Sequence, residues 1–157
     1  MKISGVKIQE PKSASEIFNQ VEEYRRVHSV FIQLFNHEMV IGREHLLWAY
    51  DKAEYLMGVG KNRSGSLEME TLLIASGEWQ IKEAIRKMGL KDDAHHTVVM
   101  VDDLMDDFLD DMGWIRDDSV LSPSLDKLMA FGITEEEINT TKKPYDLVFE
   151  IMATSFV

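Results

Sequence analysis

The sequence predicts a mixed α/β (α+β) fold, a single domain in which a small central sheet packs against helices. Three observations predict it. Apolar and β-branched stretches (KISGVKI at 2–8, SVFIQLF at 29–35, TVVMV at 97–101) interleave with segments whose apolar residues recur at helical spacing. A chain of 157 residues suits one domain better than two. Caps and turns punctuate the segments, and no low-complexity linker or long repeat divides them.

Each element has a local reason. Residues 2–8 alternate as a strand does, with Gly5 at a bulge position. Ser13 and Glu16 have capping-box spacing, which starts a helix over 14–27 with Ile17, Phe18 and Val21 inward. SVFIQLF reads as a central strand because it is β-branched and aromatic. Residues 42–57 read as a helix with Leu46, Ala49, Tyr50, Ala53 and Met57 on one face, and VGKNRSGS follows as a loop. Short helices over 67–75 and 78–88 meet at a break, Ala75-Ser76-Gly77. In the second, Ile81, Ala84, Ile85 and Met88 form a stripe expected to be buried, with Gly89 at the C-cap. TVVMV is continuously apolar, as an internal strand is. In DDLMDDFLDDM the aspartates recur with a period of four, while Leu104, Met105, Phe108, Leu109 and Met112 share the other face, giving an acidic amphipathic helix. Pro123 suits a first helical position and Gly132 a stop. Thr134 and Glu137 form a second capping box, and after Pro144 a helix runs nearly to the last residue.

Composition narrows the function classes. The chain has no cysteine, so disulfides, thiolate metal sites and cysteine nucleophiles are out, and an intracellular, cytoplasmic protein is expected. No apolar run is long enough for a membrane span, and MKISGVKIQEPKS lacks a signal-peptide core. The net charge of −11 is unevenly spread. Residues 1–91 hold 13 basic and 12 acidic side chains; residues 92–157 hold 4 and 16. A near-neutral half with basic clusters thus adjoins an acidic body, so one face can meet a polyanion while the other repels it.

Catalytic and metal motifs fail on spacing. GVGK at 58–61 has Tyr55 where a phosphate loop needs its first Gly and Asn62 where it needs Ser or Thr. His37-Glu38 has Ile41 where a zinc-protease helix needs its second His. His95 and His96 are adjacent and point to opposite sides of a strand, and each histidine reads as a surface or half-buried polar residue. The aspartate run lacks the glycine and distal glutamate of a calcium loop. No cofactor or metal is expected, and no enzyme; the nearest enzymatic alternative sets His45 beside Glu44 or Glu38.

Two signals remain. Basic residues gather around the broken helical pair: Arg43, Lys61, Arg63, Lys82, Arg86, Lys87 and Lys91. They read either as a phosphate-contacting surface or as a face laced by pairs such as Glu78–Lys82 and Glu83–Lys87. Trp79 beside them either stacks on an unpaired base or fills the core. The last helix, PYDLVFEIMATSFV, is apolar on two sides: Tyr145, Val148, Phe149, Met152 and Phe156 on one, Leu147 and Ile151 on the other. Such a helix is covered twice, by its own core or by a partner's groove, and an orphaned apolar face would also let the isolated chain form a homodimer.

FIQLFNHEMVIGREHLLWAYDKA, then KNRSGSLEMETLLIASGEWQIKEAIRKMGLK and HTVVMV, resembles the small regulatory subunit family of the KEOPS complex, and SLDKLMAFGITEEEI with the last helix fits it more loosely. Gly42-Arg43-Glu44-His45-Leu46, the Leu-Glu-Met-Glu run at 67–70 and Ala75-Ser76-Gly77-Glu78 ahead of Gln80-Ile81 carry the likeness. The resemblance implies a mixed α/β fold and a non-catalytic subunit. It implies binding and stimulation of a kinase-like ATPase subunit, and help in holding tRNA by its CCA end while threonylcarbamoyladenosine is made beside the anticodon. On that basis Arg43, Lys61, Arg63, Lys82 and Arg86 are expected to face tRNA, and Leu147, Val148 and Ile151 the protein partner. Trp79 stands where the family usually has Arg, so one phosphate contact of the pattern is replaced by an indole.

Overall fold

The computed structural model describes residues 1–156 and bears out the α+β architecture. Strands β1 (Lys2–Lys7), β2 (Ile32–Phe35), β3 (His96–Val101) and β4 (Ile115–Arg116) form an antiparallel sheet in the order β2-β3-β1-β4. β3 is internal, and alternation along it feeds two cores. Val98 and Met100 point to one face, Val99 and Val101 to the other. Because both faces are covered, its sequence shows no polar alternation.

The first face carries α1 (Ala14–His28) and α5 (Met105–Met112), which pack Ile17, Val21, Tyr24, Phe108 and Leu109 with Trp114. The second carries α2 (Arg43–Gly58), α3 (Leu67–Ser76), α6 (Leu125–Ala130), α7 (Glu135–Asn139) and α8 (Asp146–Thr154). α4 (Ile81–Met88) lies against α3. Short 3-10 turns at His37–Met39 and Asp118–Leu121 join strand to helix. The caps behave as read. Ser13 accepts from the Glu16 amide at 3.2 Å, and Thr134 and Glu137 close a reciprocal box. Lys127, without an ion pair among the described residues, donates to the Val40 and Val120 carbonyls at 2.7 and 2.6 Å, and burial pushes its pKa down to about 8.

Several expectations need correction. The strand at 29–35 is the sheet's edge, not its centre: Ser29 turns left-handed (φ 52°) to end α1, which leaves only four residues to pair. That edge is closed locally. Gln33 donates its amide to the Glu68 carbonyl at 2.8 Å and accepts from the Leu34 N–H at 2.9 Å, occupying an outward group that would otherwise recruit another strand. Phe18 points out rather than in, because Ile17, Val21 and Tyr24 already define the buried face of α1. In α4 only Ala84 and Met88 are buried; Ile81 and Ile85 stay at the surface. Leu104 precedes α5 in a left-handed conformation, and Ser124, not Pro123, sets the start of α6 by capping it.

His45 is fully buried, neither at the surface nor half-buried. Its Nδ1 accepts from the Ile41 N–H at 3.3 Å, so Nε2 carries the proton and donates to the Ala75 carbonyl at 2.9 Å. Burial pushes its pKa down to about 4. The unfolded chain therefore binds this proton at a higher pH than the folded one. Stability contributed by neutral His45 is complete above pH 6.5 and drains away as the pH falls toward 4, by about 3 kcal/mol in total. Urea denaturation of wild type across that window, compared with His45→Gln, is expected to show the variant less stable at neutral pH but with a flatter acid limb.

Gly77 caps α3 in a left-handed conformation (φ 70°), and a Cβ there would sit 2.6 Å from Ile151 Cγ2. The Gly77→Ala variant is expected to lose about 1–3 kcal/mol in a denaturant titration, from the left-handed alanine and the displaced isoleucine.

Candidate interaction surfaces

Glu70 organises the basic region from within. It lies mid-α3 and fully buried, where a free carboxylate would be costly. Its oxygens accept from the Arg63 N–H (3.0 and 3.2 Å), the Ser64 N–H (2.9 Å) and the Ser64 hydroxyl (2.7 Å). These bonds fold the 59–66 loop back along α3. Arg63, thus aimed inward, donates from Nη1 to the Ser155 carbonyl at 2.6 Å and the Glu78 carbonyl at 3.3 Å. Burial lowers its pKa while Glu70 works against the shift. One guanidinium therefore ties the loop to the end of α8 and to the residue before Trp79. Position among basic neighbours marks Arg63 as a phosphate contact; the structure makes it chiefly an internal tie.

The other predicted RNA residues fall into separate groups. Lys82 and Arg86 lie on α4, both exposed, with Arg86 paired to Glu83 at 2.8 Å. Lys61 is exposed on the loop. Lys87 is half-buried: it reaches Glu78 at 3.4 Å, with its ammonium 3.8 Å from the centre of the Phe131 ring. Burial lowers its pKa and Glu78 opposes that. Arg43 begins α2, a helix of roughly 24 Å whose far end leads into the Lys61 loop. It pairs with Asp118 at 2.8 Å, and Asp118 also accepts from the Gly5 N–H at 3.0 Å. Arg43 thus serves the β1 side of the sheet.

The predicted protein-facing residues on α8 are mostly inside. Val148 and Met152 are fully enclosed, which removes Val148 from any partner face. Leu147, Phe149, Ile151 and Phe156 are half-buried against the same core, with Ile151 filling the space over Gly77. Both apolar stripes of the helix are thereby accounted for within the chain.

Unpartnered apolar surface appears elsewhere. Phe18 of α1 (60% exposed) and Ile85 of α4 (47% exposed) line a groove of about 640 Å³. Ile32 and Leu34 of β2 and Leu72 of α3 also line it, and Trp79 stands free nearby in sequence at 63% exposed. At the groove's polar end Arg25 holds both Glu22 and Glu68, the latter at 2.7 Å. The one sequence signal that could have located this surface was Phe18, one step off the Ile17–Val21–Tyr24 stripe; Ile85 shares its stripe with buried residues and gave no such sign.

Chemistry is poorly served by these groups. Both nitrogens of His45 are taken by the backbone, so it cannot act as a base with Glu44 or Glu38. Among the described residues no group of His, Asp and Glu is placed to hold a metal ion, and no helix is long and apolar enough to cross a membrane.

The Glu70→Ala variant leaves the Arg63 and Ser64 donors without their acceptor. It is expected to cost about 3 kcal/mol or more. It should also speed tryptic cleavage after Lys61 and Arg63 in the folded protein, read by mass spectrometry against wild type.

No curated protein matches the chain. Residues 8–154 match the family described as kinase binding protein CGI-121, nearly the whole of the 157-residue sequence. The match spans β2 and the α3–α4 break, where the resemblance to the KEOPS small subunit is carried, as well as the looser C-terminal helices, and the chain belongs to the CGI-121 family of kinase-binding proteins, the small subunit of KEOPS.

Proposed function

We infer that the chain acts in the cytoplasm as a non-catalytic subunit of the KEOPS complex. It binds and activates the kinase-like ATPase subunit, and it helps hold the CCA end of tRNA for threonylcarbamoyladenosine formation. Membership of a kinase-binding family supports the first part. The observation that carries the reading is the surface of α4. This helix keeps Ile81 and Ile85 out of the core while presenting Lys82 and Arg86, with Trp79 just before it. Exposed apolar side chains suit a protein partner, and exposed cations suit a phosphate backbone. The kinase face is assigned to the apolar side chains around Ile81, Ile85 and Phe18 in preference to α8. Of the basic residues, Lys61, Lys82 and Arg86 are the phosphate contacts, while Arg63 positions the loop that bears Lys61.

A purely protein-binding adaptor is the second reading. It is favoured by the pairing of Arg43 and Arg86 with carboxylates and by Trp79 in the place of an arginine.

Two measurements separate the readings. The Lys61→Glu/Lys82→Glu double variant, assayed for tRNA retention across a salt series, is expected to bind several-fold more weakly, with a salt slope smaller by about 0.7–0.9 for each contact removed. Retention and slope equal to wild type would leave the adaptor reading. Co-purification of the same variant with the kinase-like subunit is expected to be unchanged, since neither lysine belongs to the apolar surface.

A further inference from the structure

Lys127 of α6 is half-buried, and its amino group bonds only to main-chain carbonyls among the described residues. Nζ donates at 2.7 Å to the Val40 carbonyl, at the C-cap of the 3-10 turn His37–Met39. It donates at 2.6 Å to the Val120 carbonyl, inside the turn Asp118–Leu121. An ammonium has three N–H donors, whereas a neutral amine has two and a lone pair. Two carbonyls therefore satisfy the amine completely and leave its lone pair directed away from both. The third N–H of an ammonium finds no acceptor among the described residues. The site is thus built for the uncharged form, and its surroundings agree. Burial alone lowers the pKa of Lys127, to about 8, and no carboxylate among the described residues offsets it. The titratable groups that feel its charge are His37 of the first turn and buried His45 of α2, whose pKa values it helps to lower.

A lysine held uncharged is a nucleophile. We infer that Lys127 is a site of acylation, taking a small acyl group from an acyl phosphate. The amine lone pair attacks the acyl carbon and forms an N–C bond. The bond from that carbon to the phosphate oxygen breaks, phosphate leaves with the electron pair, and the surplus amine proton passes to it. The product is an uncharged amide with one N–H. Because the amine is half-buried, a donor with a compact leaving group suits it. Acylation removes a charge that no carboxylate balances. The single N–H that remains serves only one of the two carbonyls, so the two 3-10 turns that Lys127 joins are uncoupled. Lys127 belongs to neither the kinase surface nor the tRNA surface, and the inference depends on neither reading.

The test incubates the folded full-length chain with acetyl phosphate, unfolds it, and completes the labelling with deuterated acetic anhydride. Mass spectrometry then gives the fraction acetylated in the folded state at each lysine. At about pH 7.5 roughly a quarter of Lys127 is uncharged, against about one in a thousand of an ordinary lysine. Lower basicity and partial burial cancel part of that advantage, so Lys127 is expected to react at least about fivefold faster than exposed Lys61 and Lys82. Its rate is expected to level off above about pH 9 while theirs climbs on toward about pH 10. In urea its lead is expected to vanish. A Lys127 no more reactive than Lys61 and Lys82 in the folded chain overturns the proposal. So does a lead that survives unfolding, which would belong to the local sequence, or a rate that climbs with pH in parallel with theirs.

Discussion

The buried carboxylate of Glu70 is the constraint on which the interaction region depends. An ionised group taken out of water is tolerated only when its oxygens are met by donors. Here the donors come from one short loop: two backbone amides and a hydroxyl of Arg63 and Ser64. Fixing those three groups fixes the direction of the Arg63 side chain, which in turn holds the Ser155 and Glu78 carbonyls. Loop, α4 entrance and α8 end are thus positioned by one residue of α3. At its start the loop is also tied to α2, where the Lys61 N–H donates to the Leu56 carbonyl at 2.9 Å.

The same constraint explains why the unpartnered apolar surface is not where α8 would place it. α8 is drawn onto α2 and α3, with Ile151 over Gly77 and Trp48 against Phe149 and Phe156 at centroid distances of 6.3 and 6.2 Å. The helix is apolar on two sides because two helices of its own domain, α2 and α3, touch it. α4 is the opposite case. Its apolar residues are as regularly spaced, yet it meets the body only through Ala84 and Met88 and through its last turn, where Asn36 takes the Met88 carbonyl at 2.7 Å. Gly89 lets the chain turn away there, because a Cβ would press on the Ile85 carbonyl at 2.5 Å.

Much of the fold was legible because it rests on local chemistry. Ser13, Thr134 and the glycine at 77 punctuate helices through bonds and dihedrals within a few residues, so spacing alone reveals them. The internal strand β3 was legible because both its faces are apolar. What was not legible depends on contacts distant in sequence. Periodicity says that Ile81 and Ile85 share a face; it does not say whether anything lies against that face. A histidine looks polar until its two nitrogens are given to Ile41 and to Ala75, the latter thirty positions further along the chain. Likewise the basic cluster is a cluster only in sequence. Arg43 turns to Asp118, Arg63 turns inward, Lys87 lies on Phe131, Arg86 pairs with Glu83 and Lys91 reaches the Arg86 carbonyl, leaving Lys61 and Lys82 for solvent.

That thinning of the cluster bears on how an acidic chain can approach a polyanion. With a net charge of −11, the body repels phosphate at long range. Salt limits the repulsion to about 8–10 Å at physiological strength, so the approach is decided by charges within that distance of the contact. The densest carboxylate run, on α5, packs on the sheet face that carries α1. α4 instead lies on α3, which packs with the other layer. The carboxylate run of α5 and the exposed cations of α4 thus lie on different helical layers. A polyanion approaching this chain would meet few cations, and an extended one would reach past them to the carboxylates of the acidic half.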